Sequence, residues 1–320
     1  MLLISCNFAT IMHAQEQTAP RYTGYLAAYF DKSEGGEGAP PESLHLAISR
    51  CGFHFTALND TKLVLGSTLG DKRMRDPMIL RDQKGGFHLV VTNSWDKRPF
   101  TVWDSNDLIH WANERLVTPS DPDLHPTWAP ELGYDTKSGL YFAFWTGVKG
   151  DWGNTAYIRY MTTSDFQTWS EPKTFFQKIV DGKNVPTMDA SLFEAKGKFH
   201  LVYRANDQIW QITSSGGALG PFDTDDHMIM KIGGEGPFVY QLNGQNQWNM
   251  VFDYFGGNQG KWGLATSTDA RNWTLVTDPN PPYYQNGGAL FPEGVRHGAV
   301  LSITESEYQA LTKAYSNGAP

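Results

Sequence analysis

One seven-residue pattern returns at near-constant spacing along this chain and restricts its possible folds more than any other feature. Ser105-Asn106-Asp107-Leu108-Ile109-His110-Trp111, Thr163-Ser164-Asp165-Phe166-Gln167-Thr168-Trp169 and Ser267-Thr268-Asp269-Ala270-Arg271-Asn272-Trp273 are close copies. Residues 49–55 are of the same type, and residues 214–222 are a looser copy with two extra residues. The aromatic ends fall at 55, 111, 169, 222 and 273, giving intervals of 56, 58, 53 and 51 residues. A period of that size is about the length of one propeller blade. Ser or Thr and Asp or Gly make a turn through side-chain hydrogen bonds to nearby backbone. The aromatic then enters the next strand and covers the outer end of the blade.

The segments before each turn agree with this. Residues 87–93 (FHLVVTN), 140–146 (LYFAFWT), 198–204 (KFHLVYR) and 248–254 (WNMVFDY) read as second strands. In the first unit, 24–30 and 44–49 are strands divided by a polar, Gly-rich loop. Each unit is then three strands, the aromatic turn and an outer strand. The first unit lacks a leading strand, and residues 296–303 (RHGAVLSI) can supply it. Closing a ring in this way removes the open edge of the first blade. The expected fold is all-β: a single five-bladed β-propeller over 22–304, with 300–303 paired to 24–30. The tail, 305–320, is expected to hold a short helix near 306–314.

A chain of 320 residues can form two ordinary domains or one large repeat domain. Eleven Trp and fourteen Tyr exceed what packing alone usually requires, and carbohydrate is one flat-faced ligand that explains such an excess. A net charge of -8 without a basic stripe argues against nucleic acid. Residues 1–14 are short and largely apolar and end in His13-Ala14-Gln15, which resembles a secretory signal without its usual basic start. The expectation is export to the periplasm or beyond. Leu3-Ile4-Ser5-Cys6 also fits a lipoprotein cleavage box, but too few residues precede it, so anchoring ranks lower. After either cleavage Cys51 is the only other cysteine, so no internal disulfide is expected. No later segment is long enough to span a membrane.

Four acidic segments sit at the heads of apolar strands: Arg75-Asp76-Pro77-Met78, Ala129-Pro130-Glu131-Leu132, Met188-Asp189-Ala190-Ser191 and Gly234-Glu235-Gly236-Pro237. Asp76, Glu131, Asp189 and Glu235 are 55, 58 and 46 residues apart. These steps suggest four carboxylates at one position of the repeat, ringing one end of the central axis. Crowded carboxylates repel and burial disfavours charge, so their pKa values should be pushed apart. Glycoside hydrolysis needs such a set, with a protonated acid for the leaving oxygen and an ionised base to activate water. The competing reading for any single acid is a turn cap or an ion pair with Arg75, Arg81 or Arg204.

In order and spacing, and over nearly the whole chain beyond the signal, these four runs resemble glycoside hydrolase family 43. The resemblance implies a five-bladed propeller that hydrolyses arabinosides, xylosides or galactosides with inversion. It implies that Asp76 is the general base, Asp189 the acid that adjusts pKa and orients, and Glu235 the general acid. Glu131 stands where the family usually has Asp, in a mainly structural role. The resemblance also implies that His297 points into the central channel near water or calcium. A plain core histidine beside Gly298 is an equal alternative, and one histidine without a ligand cluster does not establish a metal. No cofactor is required, and a structural Ca2+ in the channel stays open. Trp95, Trp128 and Arg204 are expected to touch a sugar, with Arg204 bonding hydroxyls or Asp189. Trp145 and Trp152 are candidates for an outer subsite.

The expected activity is an inverting, exo-acting glycosidase on oligosaccharide or polysaccharide, with α-L-arabinofuranosidase first. β-D-Galactofuranosidase, β-xylosidase and exo-galactosidase are alternatives. A non-catalytic sugar-binding propeller and a kelch-type protein-binding propeller are the rivals from other classes, and neither has a use for all three matching acids. The related fructan-cleaving propellers place Arg-Asp-Pro mid-chain after Asn-Asp-Pro, an order this chain lacks.

Overall fold

The computed structural model describes residues 21–316 except 122–124, 151–154, 232, 255–260 and 277–289. The expected signal, the lipoprotein box and Trp152 lie outside the described residues.

Five four-stranded antiparallel sheets make the five blades of a propeller. The first contains β1 (Tyr22–Asp31), β2 (His45–Ser49) and β3 (Thr56–Ala57), with β22 (Val295–Thr304) as its innermost strand. The second is β4 (Arg75–Arg81), β5 (Phe87–Thr92), β6 (Phe100–Ser105) and β7 (Ala112–Val117). The third is β8 (Thr127–Asp135), β9 (Leu140–Gly147), β10 (Tyr157–Thr163) and β11 (Lys173–Phe176). A two-stranded hairpin, β12 (Lys178–Val180) and β13 (Lys183–Val185), leads into the fourth blade. That blade is β14 (Thr187–Ala195), β15 (Lys198–Ala205), β16 (Gln208–Ser214) and β17 (His227–Met230). The fifth is β18 (Gly234–Gln241), β19 (Trp248–Tyr254), β20 (Trp262–Ser267) and β21 (Thr274–Leu275).

Ring closure follows the expected register: Gly24 opposes Ile303, Leu26 opposes Leu301 and Ala27 opposes Val300. The helix α1 (Glu305–Tyr315) starts at Thr304, whose side chain accepts from the Glu307 amide while the Glu307 carboxylate accepts from the Thr304 amide. Leu311 and Tyr315 are buried in the apolar cluster of the first two blades, so the tail packs on the propeller.

The repeated turns form as their chemistry requires. Ser105 Oγ accepts from the Leu108 amide at 3.0 Å, and Asp107 Oδ1 accepts from Ile109 and His110 at 2.9 and 2.8 Å. Thr163 with Asp165 and Ser267 with Asp269 repeat this arrangement. The tryptophans that follow seal one blade to another. Trp169 lies edge-on to Phe100 of the second blade at 5.9 Å, and Trp273 edge-on to Phe193 of the fourth at 6.3 Å.

Candidate active site

The site grows from an irregularity common to the inner strands. Arg75 opposes Thr92 and Met78 opposes Val90, so Asp76 and Pro77 together face Val91 alone. The same bulge follows Trp128, Met188 and Glu235. A bulge leaves its extra residue outside the ladder and re-aims a side chain. The first residue of each is left-handed: Asp76 (φ 52°), Ala129 (φ 46°), Asp189 (φ 49°) and Gly236 (φ 58°). Such backbone is unusual for non-glycine residues and concentrates at functional sites. Pro77, Pro130 and Pro237 come second in the bulge, where a missing amide does no harm to the ladder.

This register corrects the expectation of four acids at one repeat position. Asp76 and Asp189 occupy the bulge position itself. Glu235 stands one residue before it, opposite Asp253, and Glu131 two residues after it, opposite Phe144. The even sequence steps concealed three different depths along the axis. At the fifth blade the bulge position is Gly236, where a Cβ would lie 2.4 Å from the His297 ring.

A residue at or next to the end of each of these second strands ties blades together. Thr92 donates to Asp76 Oδ2 at 2.7 Å and accepts from the Ala129 amide of the third blade at 2.8 Å. Thr146 accepts from the Asp189 amide at 3.0 Å. Asp253 accepts from the His297 amide at 3.4 Å. Arg204, at the matching position of the fourth blade, donates to Glu235 Oε2 at 3.0 Å and to Asp207 at 2.5 Å. Glu235 and Asp207 are thus among its carboxylate partners. The guanidinium reaches across to the next inner strand, and its charge also acts on Asp189.

Asp76, Asp189, Glu235, Trp95, Trp128 and His297 line one cavity of about 380 Å³ with Arg75, Met188 and Arg296. That volume suits a small ligand. Trp95 is 47% exposed, and Trp128 meets it edge-on at 6.4 Å while donating from Nε1 to the Trp95 carbonyl at 3.0 Å. Trp145 is corrected: it is 2% exposed and packed on Phe100, so it belongs to the core rather than to an outer subsite.

The carboxyls are set apart electrostatically. Burial would raise Asp76, but the His297 imidazole 3.3 Å away, Arg75 and the Thr92 hydroxyl hold it well below the usual carboxylate range. Asp189 is raised by burial and by Asp76, against the pull of His297 and Arg204. Glu235 is raised by burial and by Asp189, although Arg204 and Arg296 each bond one of its oxygens, at 3.0 and 3.1 Å. Asp253 is fully buried and binds Arg296 Nε; burial lifts it to about 6 despite that partner. Burial opposes a charge on His297, yet Asp76, Asp189 and Asp253 raise it to about 9. The imidazole is therefore protonated at neutral pH.

Among the described residues no three His, Cys, Asp or Glu side chains gather as a metal site. Calcium takes six to eight oxygens, and the described side chains around His297 do not by themselves supply such a cluster.

Sequence reasoning missed Arg296, Asp253, Thr92 and Glu42. The first three had a signal in the repeat, since Thr92 and Asp253 lie at or next to the ends of second strands and Arg296 directly precedes His297. Glu42 had none, because it lies in the loop before β2.

Glu131 is buried deeper in the channel, and burial raises it to about 8. A folded-state value above the unfolded one stabilises fully below about 4.5 and is lost as pH rises through about 8. Glu131→Gln removes that titration. Thermal melts should show the variant gaining on the wild type by several degrees between pH 5 and pH 8; a constant difference would refute the burial of this proton.

Comparison with known proteins agrees with this geometry. The glycosyl hydrolase 43-related family, described as a probable glycosyl hydrolase domain, matches residues 20–309. An alpha-L-arabinofuranosidase of Bifidobacterium longum subsp. longum is 26% identical over 240 residues, which cover 65% of this chain and 21% of that protein. The chain thus spans about a fifth of the length of that relative. A thermostable family-43 glycoside hydrolase superposes with a TM-score of 0.52 at 17% identity, covering 64% of this chain and 72% of its own. The alpha-L-arabinofuranosidase of Lactobacillus brevis gives 0.51 at 16% identity, covering 64% and 73%. These structural likenesses carry the fold, and the family match carries the kinship: the chain belongs to the glycosyl hydrolase 43-related family.

Proposed function

We propose that this protein is an inverting, exo-acting glycoside hydrolase, with α-L-arabinofuranosides as its first substrate class. The observation that carries the reading is a single cavity holding carboxyls in opposite states. Asp76 is held ionised by His297, and Glu235 is pushed toward its protonated form by burial and Asp189. In this reading Asp76 takes a proton from water as the water attacks the anomeric carbon. Glu235 donates a proton to the glycosidic oxygen as that bond breaks. Asp189 keeps Glu235 protonated and holds the Gly236 amide at 3.3 Å. Trp95 and Trp128 stack on the sugar, and Arg204 orients Glu235. Arabinose comes first because the curated relative bears that activity in its name. The apolar stretch 1–14 supports an exported protein acting on oligosaccharide or polysaccharide outside the cytoplasm.

No cofactor takes part in this mechanism. The test is hydrolysis of nitrophenyl α-L-arabinofuranoside, β-D-galactofuranoside, β-xyloside and β-galactopyranoside, with and without a chelator. NMR should find the first product sugar with inverted configuration. Retention of configuration would remove Asp76 from its role as base, and inactivity on every substrate would favour a sugar-binding propeller.

A further inference from the structure

Resting on that reading, we propose that Arg75 is a sugar-binding and specificity-determining residue, aimed at two neighbouring hydroxyls of a neutral sugar by buried Glu42 and two adjacent aromatic rings. Arg75 immediately precedes the general base, lines the cavity, and its side chain is only 14% exposed. Two aromatic rings lie close to its guanidinium. The carbon centre lies 4.5 Å from the Phe30 ring and 4.0 Å from the Trp95 ring. Its Nη1 donates to Glu42 Oε1 at 2.9 Å, and among the described residues its other N–H groups have no partner. A guanidinium has five N–H groups in one plane. A nearly buried one with several unspent beside a polar cavity is poised for a ligand that accepts side by side.

Glu42 fixes the direction of that fork. It is 2% exposed and holds Arg73 through its other oxygen at 2.6 Å. Gly35 makes room for it, because a Cβ there would lie 2.1 Å from the Glu42 carboxylate. The local charges choose the ligand. Ionised Asp76 beside the fork and buried Glu42 behind it both oppose the approach of a further carboxylate such as a uronate. Hydroxyl oxygens are the acceptors that remain. Trp95, 47% exposed, also keeps surface free for stacking on the sugar.

The test uses the glycoside that the wild type cleaves best and its single-deoxy analogues. Arg75→Lys keeps the charge but loses the planar fork. It should raise KM about tenfold or more and abolish the wild type's discrimination against one deoxy analogue, while the acid limb of the pH profile stays in place. Glu42→Gln should produce a smaller rise in KM. A wild-type KM in Arg75→Lys, or an unchanged deoxy penalty, would overturn the inference while leaving the glycosidase reading intact. Preferred cleavage of a uronate glycoside by the wild type would overturn the neutral-sugar assignment. Wild-type inactivity on the whole panel would remove both readings. Should Glu42→Gln fail to fold, Arg75→Lys decides alone, since Arg75 keeps its charge and its ion pair.

Discussion

Replacing Asp76 by Asn lowers kcat by about 10²–10⁴-fold on every glycoside the protein cleaves, whatever its leaving group. The expectation follows from two features. Asp76 is the one carboxyl in the cavity held firmly ionised, by His297 at 3.3 Å and by the Thr92 hydroxyl at 2.7 Å. Water activation is also needed equally for good and poor leaving groups. Asn keeps the size of the side chain and an acceptor for Thr92, so the loss reports the missing base rather than a disturbed bulge. The wild-type pH profile carries a matching signature. A base held well below the usual carboxylate range stays competent in mild acid, so the acid limb of kcat should lie below pH 4. Steady-state kinetics from pH 3 to 9 check both statements. An Asp76→Asn variant within a few-fold of wild type would end the assignment.

Glu235→Ala should divide substrates instead. On a nitrophenyl glycoside, whose leaving group hardly needs a proton, the loss should be small. On a natural oligosaccharide it should approach 10²–10⁴-fold, the range for losing a general acid. Glu235 is the candidate because burial and Asp189 favour its neutral form while it faces the same cavity as Asp76. Its two arginine partners pull the other way, so the basic limb of the profile reports the balance. The two differ in their other partners: Asp207, bonded to Arg204, is exposed, whereas Asp253, bonded to Arg296, is fully buried. Equal losses on the two kinds of substrate would remove Glu235 as the acid.

The linear chain determined the repeat. Its turn chemistry is local: a hydroxyl and a carboxylate two residues apart bond to amides within three residues, so the pattern can be read without knowing what packs around it. Closure by 300–303 followed as well, because an unpaired first blade and a surplus last strand have one economical solution. The identity of the site's acids was also legible, because each sits at or beside a bulge, and a proline marks all of these but that of Asp189. Tertiary structure decided their depth. The bulge shifts register by one residue, and Glu235, Asp189 and Glu131 lie on three sides of that shift, which spacing cannot reveal. It also decided the partners. Arg204 turned to Glu235, His297 to Asp76, and Trp145 inward, because each side chain is placed by a neighbouring blade some 30 to 220 residues away in sequence. Contacts between blades depend on how the ring closes, and only the closed ring brings Glu42, Phe30 and Trp95 around Arg75.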